Sequence, residues 1–301
     1  MSTWRGLVAQ IERVATRAGR RRAGRFAIEG FRLHERALRA GVRVEDVVVA
    51  ASLHDRPGSR SQRLLEDLGA SGSRLHVAPD DVLQRLTDGR GLGALVGLVP
   101  IPVPCTLDRC LDRGPQEPVV FLVALEVADP GNAGALVRTA HALGARAFVA
   151  AGRTDPYHPR AVRTSMGSLF RCPVVSYPDL GGAFEDLARC HVHTIAAVSR
   201  GGVPLDELRL EGPRVAVLIG NEATGLPGAV QGRVALKAAV PMVPDVDSLS
   251  ANAAAAVLLH EVRRIVAASA GVPCAGPAGA LRFGAPEGEE DPERWPAATT
   301  G

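Results

Sequence analysis

Three short segments hold the polar and glycine residues that could do chemistry. The first reads Glu126-Val-Ala-Asp-Pro-Gly-Asn-Ala-Gly-Ala-Leu-Val-Arg-Thr-Ala140, the second Leu218-Ile-Gly-Asn-Glu-Ala-Thr-Gly-Leu226, and the third Val240-Pro-Met-Val-Pro-Asp-Val-Asp-Ser-Leu-Ser-Ala-Asn252. In the first, Leu136, Ala140 and Leu143 recur at helical spacing, and a helix that buries them turns Arg138 about 160° away. There the guanidinium either meets a ligand or stays solvated. Asn132 follows Pro130-Gly131, a place where an amide caps local backbone or serves a site. In the second segment, Gly220-Asn221-Glu222 follows the apolar run Val215 to Ile219 and offers backbone N–H and C=O groups that can read an adenine edge. Glu222 is a plain loop carboxylate or a functional one. In the third, Asp247 or Ser248 can cap a helix predicted from Leu249 to about Ala267. The small residues Ala253 to Ala256 let another backbone come close, from this chain or a second copy.

All three segments fall at the C-terminal ends of predicted strands, where open α/β sheets collect ligands. Strands are expected at Val119–Leu125, Ala147–Ala151, Pro173–Tyr177, Thr194–Val198, Val215–Ile219 and Ala235–Val240, with helices at Gly134–Leu143 and Phe184–Cys190 between them. Near-continuous apolar strands alternating with helices imply a parallel sheet covered on both faces. A smaller α/β unit precedes it. Strands are read there at Arg25–Glu29, Val44–Ala50, Leu75–Val77 and Leu92–Val99, and helices at Leu33–Ala40, Gln62–Leu68 and Asp80–Leu86. Paired prolines around Ile101-Pro-Val-Pro-Cys and Gly114-Pro-Gln-Glu-Pro118 resist helix and central strand alike, which sets a connector at 101–118. The domains expected are 1–100, 119–270 and an acidic disordered tail, 271–301.

Composition narrows the function classes. Hydrophobic residues make up 46% of the 301 and charged residues 22%, which is globular. Aromatics are only 4%, too few to wall a site with stacked bases, so nucleic acid would be gripped by backbone and charge. Of 35 basic residues only Lys237 is a lysine, and guanidinium forks suit bidentate phosphate contacts. Residues 1–43 carry eleven arginines against Glu12, Glu29 and Glu35, a charge of roughly +8 that suits an acidic polymer. Arg20, Arg21 and Arg22 are expected to contact phosphates. Five scattered cysteines without zinc spacing read as reduced structural thiols. No metal site is expected. A P-loop is absent, the glycines of Gly89 to Gly97 precede a strand and so fail the dinucleotide pattern, and Ser165 lacks a nucleophile elbow. With neither a signal-like leader nor an apolar run of ~18 residues, a cytoplasmic protein off the membrane is expected.

Together the three segments, with the intervening Ala161-Val-Arg-Thr-Ser-Met-Gly-Ser-Leu-Phe-Arg-Cys-Pro173, resemble the SpoU (TrmH-like) family of RNA ribose 2′-O-methyltransferases in the SPOUT superfamily. The resemblance covers residues 119–267, and more weakly 20–100, where Gly24-Arg-Phe-Ala-Ile-Glu-Gly30 looks like the start of an L30e-like substrate-binding domain. It implies an α/β fold with a C-terminal trefoil knot, S-adenosylmethionine as cofactor, RNA as partner (ribosomal ahead of transfer RNA) and a homodimer built partly on the last helix. By the same likeness Arg138, Asn132, Glu222 and Ser248 are catalytic-site residues. Ile219, Gly220, Asn221, Val240, Pro241, Met242, Leu249 and Ser250 would contact the cofactor.

One departure stands out. The family pattern Ser-Leu-Asn is Ser248-Leu249-Ser250 here, with an asparagine two positions later at Asn252. Helix geometry turns 252 about 200° from 250, so Asn252 cannot supply the missing amide without a local shift. The alternative function is a non-catalytic RNA-binding protein that keeps the fold, against which stands the joint presence of Asn132, Arg138, Glu222 and Ser248.

Overall fold

The structure, a computed structural model, describes residues 4–91, 93–111, 118–210 and 212–271. The acidic tail and Cys274 lie outside the described residues. Two helices open the chain, α1 (Trp4–Val14) and α2 (Arg17–Ala23). Neither was anticipated, because arginines crowd the segment. Yet Leu7, Ile11 and Val14 fall on one side of α1 and pack on Val48, Val96 and Leu98.

There follow β1 (Arg25–Glu29), α3 (Phe31–Arg39), β2 (Asp46–Ala50), α4 (Ala51–Asp55), α5 (Ser59–Ala70), β3 (Arg74–Ala78), α6 (Asp80–Leu86) and β4 (Leu95–Pro100). Their strands make a four-stranded mixed sheet in the order β1-β4-β2-β3. The connector carries a short helix, α7 (Leu107–Cys110), whose Leu107 and Cys110 are buried in the core of the second sheet.

The second sheet is built from β5 (Val119–Leu125), α8 (Pro130–Ala142), β6 (Ala147–Ala151), α9 (Pro159–Thr164), β7 (Val174–Tyr177), α10 (Leu180–Arg189), β8 (His193–Val198), β9 (Val203–Pro204), β10 (Arg214–Ile219), α11 (Gly228–Gln231), β11 (Leu236–Ala239) and α12 (Ala251–Ser269). Its seven strands run β7-β6-β5-β10-β8-β11-β9, every neighbouring pair parallel. Each residue of β5 is buried, as a strand between two helical layers must be. One layer includes α8 and α12, the other α10. Gly134 is where α8 meets α9, since a Cβ there would lie 2.1 Å from the Ala161 carbonyl oxygen.

The arginine-rich N-terminus divides into two populations. Arg20 is 2% exposed; its Nη1 donates to the carbonyls of Val14 and Ala15, each at 2.8 Å, and its Nη2 pairs with Asp155 of the second unit. It therefore cannot serve a phosphate as expected. Other arginines cross the same seam: Arg36 to the Met166 carbonyl, Arg17 to that of Gly152 at 3.1 Å, and Arg171 to that of Arg39 at 2.7 Å. Glu29 accepts a two-pronged Arg90 at 3.0 and 3.1 Å and, from the other unit, Arg163 at 3.4 Å. Phe26 packs on Tyr157 and Phe170 across the same seam. Arg13, Arg21 and Arg22 are exposed and have no hydrogen-bond or ion-pair partner among the described residues. Among the described residues no helix is long and apolar enough to cross a membrane, and no metal-binding cluster occurs.

Candidate functional site

The strand ends of β8, β10 and β11 and the start of α8 meet at one cavity of about 830 Å³, a size suited to a small organic ligand. Of the residues expected to contact a cofactor, Ile219, Gly220, Asn221, Val240, Met242, Leu249 and Ser250 line it, and Pro241 does not. Asn132, Glu222 and Ser248 line it as well. Arg138 does not.

The β10 loop is shaped before any ligand arrives. Asn221 and Gly225 exchange backbone hydrogen bonds at 2.9 and 2.8 Å. The Asn221 side chain accepts from the amides of Ala223 and Thr224 at 2.9 and 3.1 Å, while its Nδ2 donates to the Glu126 carbonyl at 3.0 Å. Asn221, which lines the cavity, thus spends its side-chain polar groups on its own loop and on the Glu126 carbonyl. Glu126 has φ +56°, a strained setting for a side chain, and its carboxylate accepts from the Arg153 amide and Nε. Gly220 must be glycine, because a Cβ would lie 2.4 Å from the Gly225 oxygen and 2.7 Å from the Leu226 nitrogen. Among the described residues the backbones of Gly220, Val240 and Met242 make no hydrogen bond. Unpaired main-chain groups against the apolar Ile219, Leu226 and Leu258 fit a flat heterocycle that needs edge contacts and a nonpolar bed.

On the β5 side, Asp129 caps α8 by accepting the Asn132 amide at 2.8 Å, with Pro130 at the first helical position. Arg160 holds the other Asp129 oxygen at 3.0 Å. The His158 ring nitrogen in turn accepts the Arg160 amide as the cap of α9, and burial, then the charge of Arg20, lowers its pKa. The backbone of Asn132 is capped by Asp129, and its side chain reaches across the site, Nδ2 donating to Glu222 Oε1 at 2.8 Å. The local cap is therefore Asp129, and the Asn132 side chain bonds a distant carboxylate instead of neighbouring backbone. Leu136 and Ala140 are fully buried and Arg138 is exposed, as the helical spacing requires; Arg138 has no polar partner among the described residues. It sits six residues beyond Asn132, about 9 Å along the helix.

At the third segment the cap differs from expectation. Ser250, not Asp247 or Ser248, caps the last helix, its Oγ accepting the Ala253 amide at 3.2 Å. Because Ser250 is extended (φ −58°, ψ 148°), the helical angle between 250 and 252 does not apply. Asn252 points to α8, where its Oδ1 accepts from Thr139 Oγ1 at 2.8 Å, the neighbour of Arg138. The Ser248 side chain has no partner among the described residues. Sequence reading left out Ser199 and Arg200, which also line the cavity. Their signal was available, since they follow β8 just as Gly220 follows β10.

Residues 119–260 match the family model described as the SpoU rRNA Methylase family, and residues 7–90 match the MRM3-like substrate binding domain. The chain is 30% identical over 260 residues to a 23S rRNA (uridine(2479)-2'-O)-methyltransferase of Streptomyces viridochromogenes, covering 83% of this chain and 87% of that one. It is 25% identical over 253 residues to the 23S rRNA (guanosine(2553)-2'-O)-methyltransferase RlmP of Bacillus subtilis, covering 84% and 94%. Among solved structures, the SpoU methyltransferase AviRb of Streptomyces viridochromogenes in complex with AdoMet superposes with a TM-score of 0.74 at 26% identity, covering 89% of this chain and 99% of that one. An AdoMet-bound rRNA methyltransferase from Sinorhizobium meliloti gives 0.71 at 26%, covering 88% and 96%.

Proposed function

The chain belongs to the SpoU rRNA methylase family, and from that membership and the cavity at its strand ends we infer that it methylates a ribose 2′-oxygen of ribosomal RNA with S-adenosylmethionine. The observation that carries the cofactor reading is the set of unpaired backbones at Gly220, Val240 and Met242 around one apolar bed. These residues would hold the adenine, with Ile219, Leu249 and Ser250 beside them. When bound, the cofactor supplies a methyl group already activated on a sulfonium.

What remains for the chain is to present a weakly acidic hydroxyl in line and to stabilise its charge. Asn132 fixes Oε1 of Glu222, which leaves Oε2 to accept the ribose hydroxyl proton in a hydrogen bond. Ser248, with a hydroxyl no described residue engages, orients the same ribose. The role of Arg138 is to steady the developing alkoxide or an adjacent phosphate.

Arg138 is not among the residues that line the cavity. A homodimer through the last helix would bring a second copy's Arg138 to the site. Val257 on that helix is a large apolar side chain left 42% exposed. Mixing an inactive Arg138→Ala chain with an inactive Glu222→Gln chain should then restore part of the activity. No restoration would place Arg138 in its own chain's site. The function itself is tested by mapping ribose methylation of ribosomal RNA from cells with and without the gene. An unchanged map, together with RNA binding by the purified protein, would favour the non-catalytic reading.

A further inference from the structure

The cavity has two polar ends. Asn132 and Glu222 belong to the β5 and β10 side; Arg200 follows β8 on the other flank of β10, and Asp247 comes from the loop between β11 and α12. Arg200 is the one cation among the cavity's lining residues. Its Nη2 lies 3.4 Å from Asp247 Oδ1, and neither side chain has another polar partner among the described residues. Both are largely in water, 68% and 99% exposed. A solvated pair of this kind contributes little to folding, so its partners can be exchanged at little cost.

A guanidinium with nearly all its donors unused matches a carboxylate, and the adjoining carboxylate matches an ammonium. Side by side, the two are complementary to an α-amino-acid zwitterion. The apolar Ile219, Leu226 and Leu258 can receive neither charge. Resting on the cofactor reading above, we propose that Arg200 and Asp247 form the subsite for the amino-acid end of the S-adenosyl cofactor, Arg200 taking its α-carboxylate and Asp247 its α-ammonium. The exposed ion pair opens when that end arrives and closes again when it leaves.

Two ligands that share the adenosine part separate this subsite from the rest of the cavity: S-adenosylhomocysteine, which has the amino-acid end, and 5′-methylthioadenosine, which lacks it. Calorimetric titration of the full chain should show tighter binding of the first. Arg200→Ala should weaken S-adenosylhomocysteine roughly 10- to 100-fold, the range for a lost charge-assisted hydrogen-bonding partner. It should leave 5′-methylthioadenosine within about twofold. Arg200→Lys should recover part of the loss, since it keeps the charge without the fork. Unchanged S-adenosylhomocysteine affinity in Arg200→Ala would overturn the subsite, as would equal weakening of both ligands. Failure of the folded parent chain to bind either ligand would instead overturn the cofactor reading, and the subsite with it.

Discussion

The seam between the two sheets and the exposed faces of α2 and α8 use the same residue type in opposite ways. At the seam, Arg20, Arg36 and Arg171 are donors to carbonyls, and Arg20 also has a carboxylate partner. On α8 and α2, Arg138, Arg21 and Arg22 stand exposed with no partner among the described residues. An arginine's part in this molecule is thus decided by whether a neighbouring element offers it an acceptor, and the local excess of positive charge does not reveal it. Seam arginines should act on stability, and the exposed arginines of α8 and α2 on turnover and RNA affinity.

The strongest way to break that division is Arg20→Ala. It leaves Asp155, whose side chain is 18% exposed, beside a vacated cation site, and two carbonyls lose their donor. Removing one partner of such a buried pair costs about 3–5 kcal/mol. Urea denaturation would read this as a lower midpoint. A change under about 1 kcal/mol would show that the seam holds without it.

Next in size is Arg138→Ala. Turnover should fall by at least ~100-fold, the lower end for a charge-stabilising group. The denaturation midpoint should stay within ~0.5 kcal/mol of the parent, since the residue is exposed and unpaired. Single-turnover methylation at saturating cofactor and RNA isolates the step. Near-parental turnover would remove Arg138 from the mechanism.

Replacing Arg13, Arg21 and Arg22 together with Ala should flatten the dependence of log affinity for RNA on log salt by about two units. Stability should not change. An unaltered slope would move the RNA footprint off this face. The mildest expected effect is that of Arg163→Ala, about 1 kcal/mol, because Arg90 still holds Glu29 with two bonds. If it destabilised as much as Arg20→Ala, a seam arginine's contribution would not follow from its burial and acceptors.

Sequence periodicity identified β5 and β6 to the residue, because uninterrupted apolar runs leave few alternatives, and expected a helix near Asp80 to Leu86, where α6 lies. It also set the face of Arg138. It failed where an element's fate is decided at long range. The stripe Leu7, Ile11 and Val14 lay hidden among arginines, and the burial of Arg20 depends on Asp155, 135 positions away. Asn132 finds Glu222 across 90 positions, so its side chain's choice of that carboxylate over local backbone could not be read from neighbouring residues. The cap at Ser250 likewise follows from the path of the loop over the cavity, which local propensity does not encode.

The two loops around the cavity differ in how much of their conformation is fixed in advance. The β10 loop is closed by the Asn221–Gly225 exchange and by the Asn221 side chain. Between Val240 and Ser250 the only backbone hydrogen bond among the described residues runs from the Val246 amide to the Val243 carbonyl. The entropic cost of ligand capture therefore falls almost wholly on the second loop. Gain of amide exchange protection on binding should concentrate there, while the first loop serves as a rigid template.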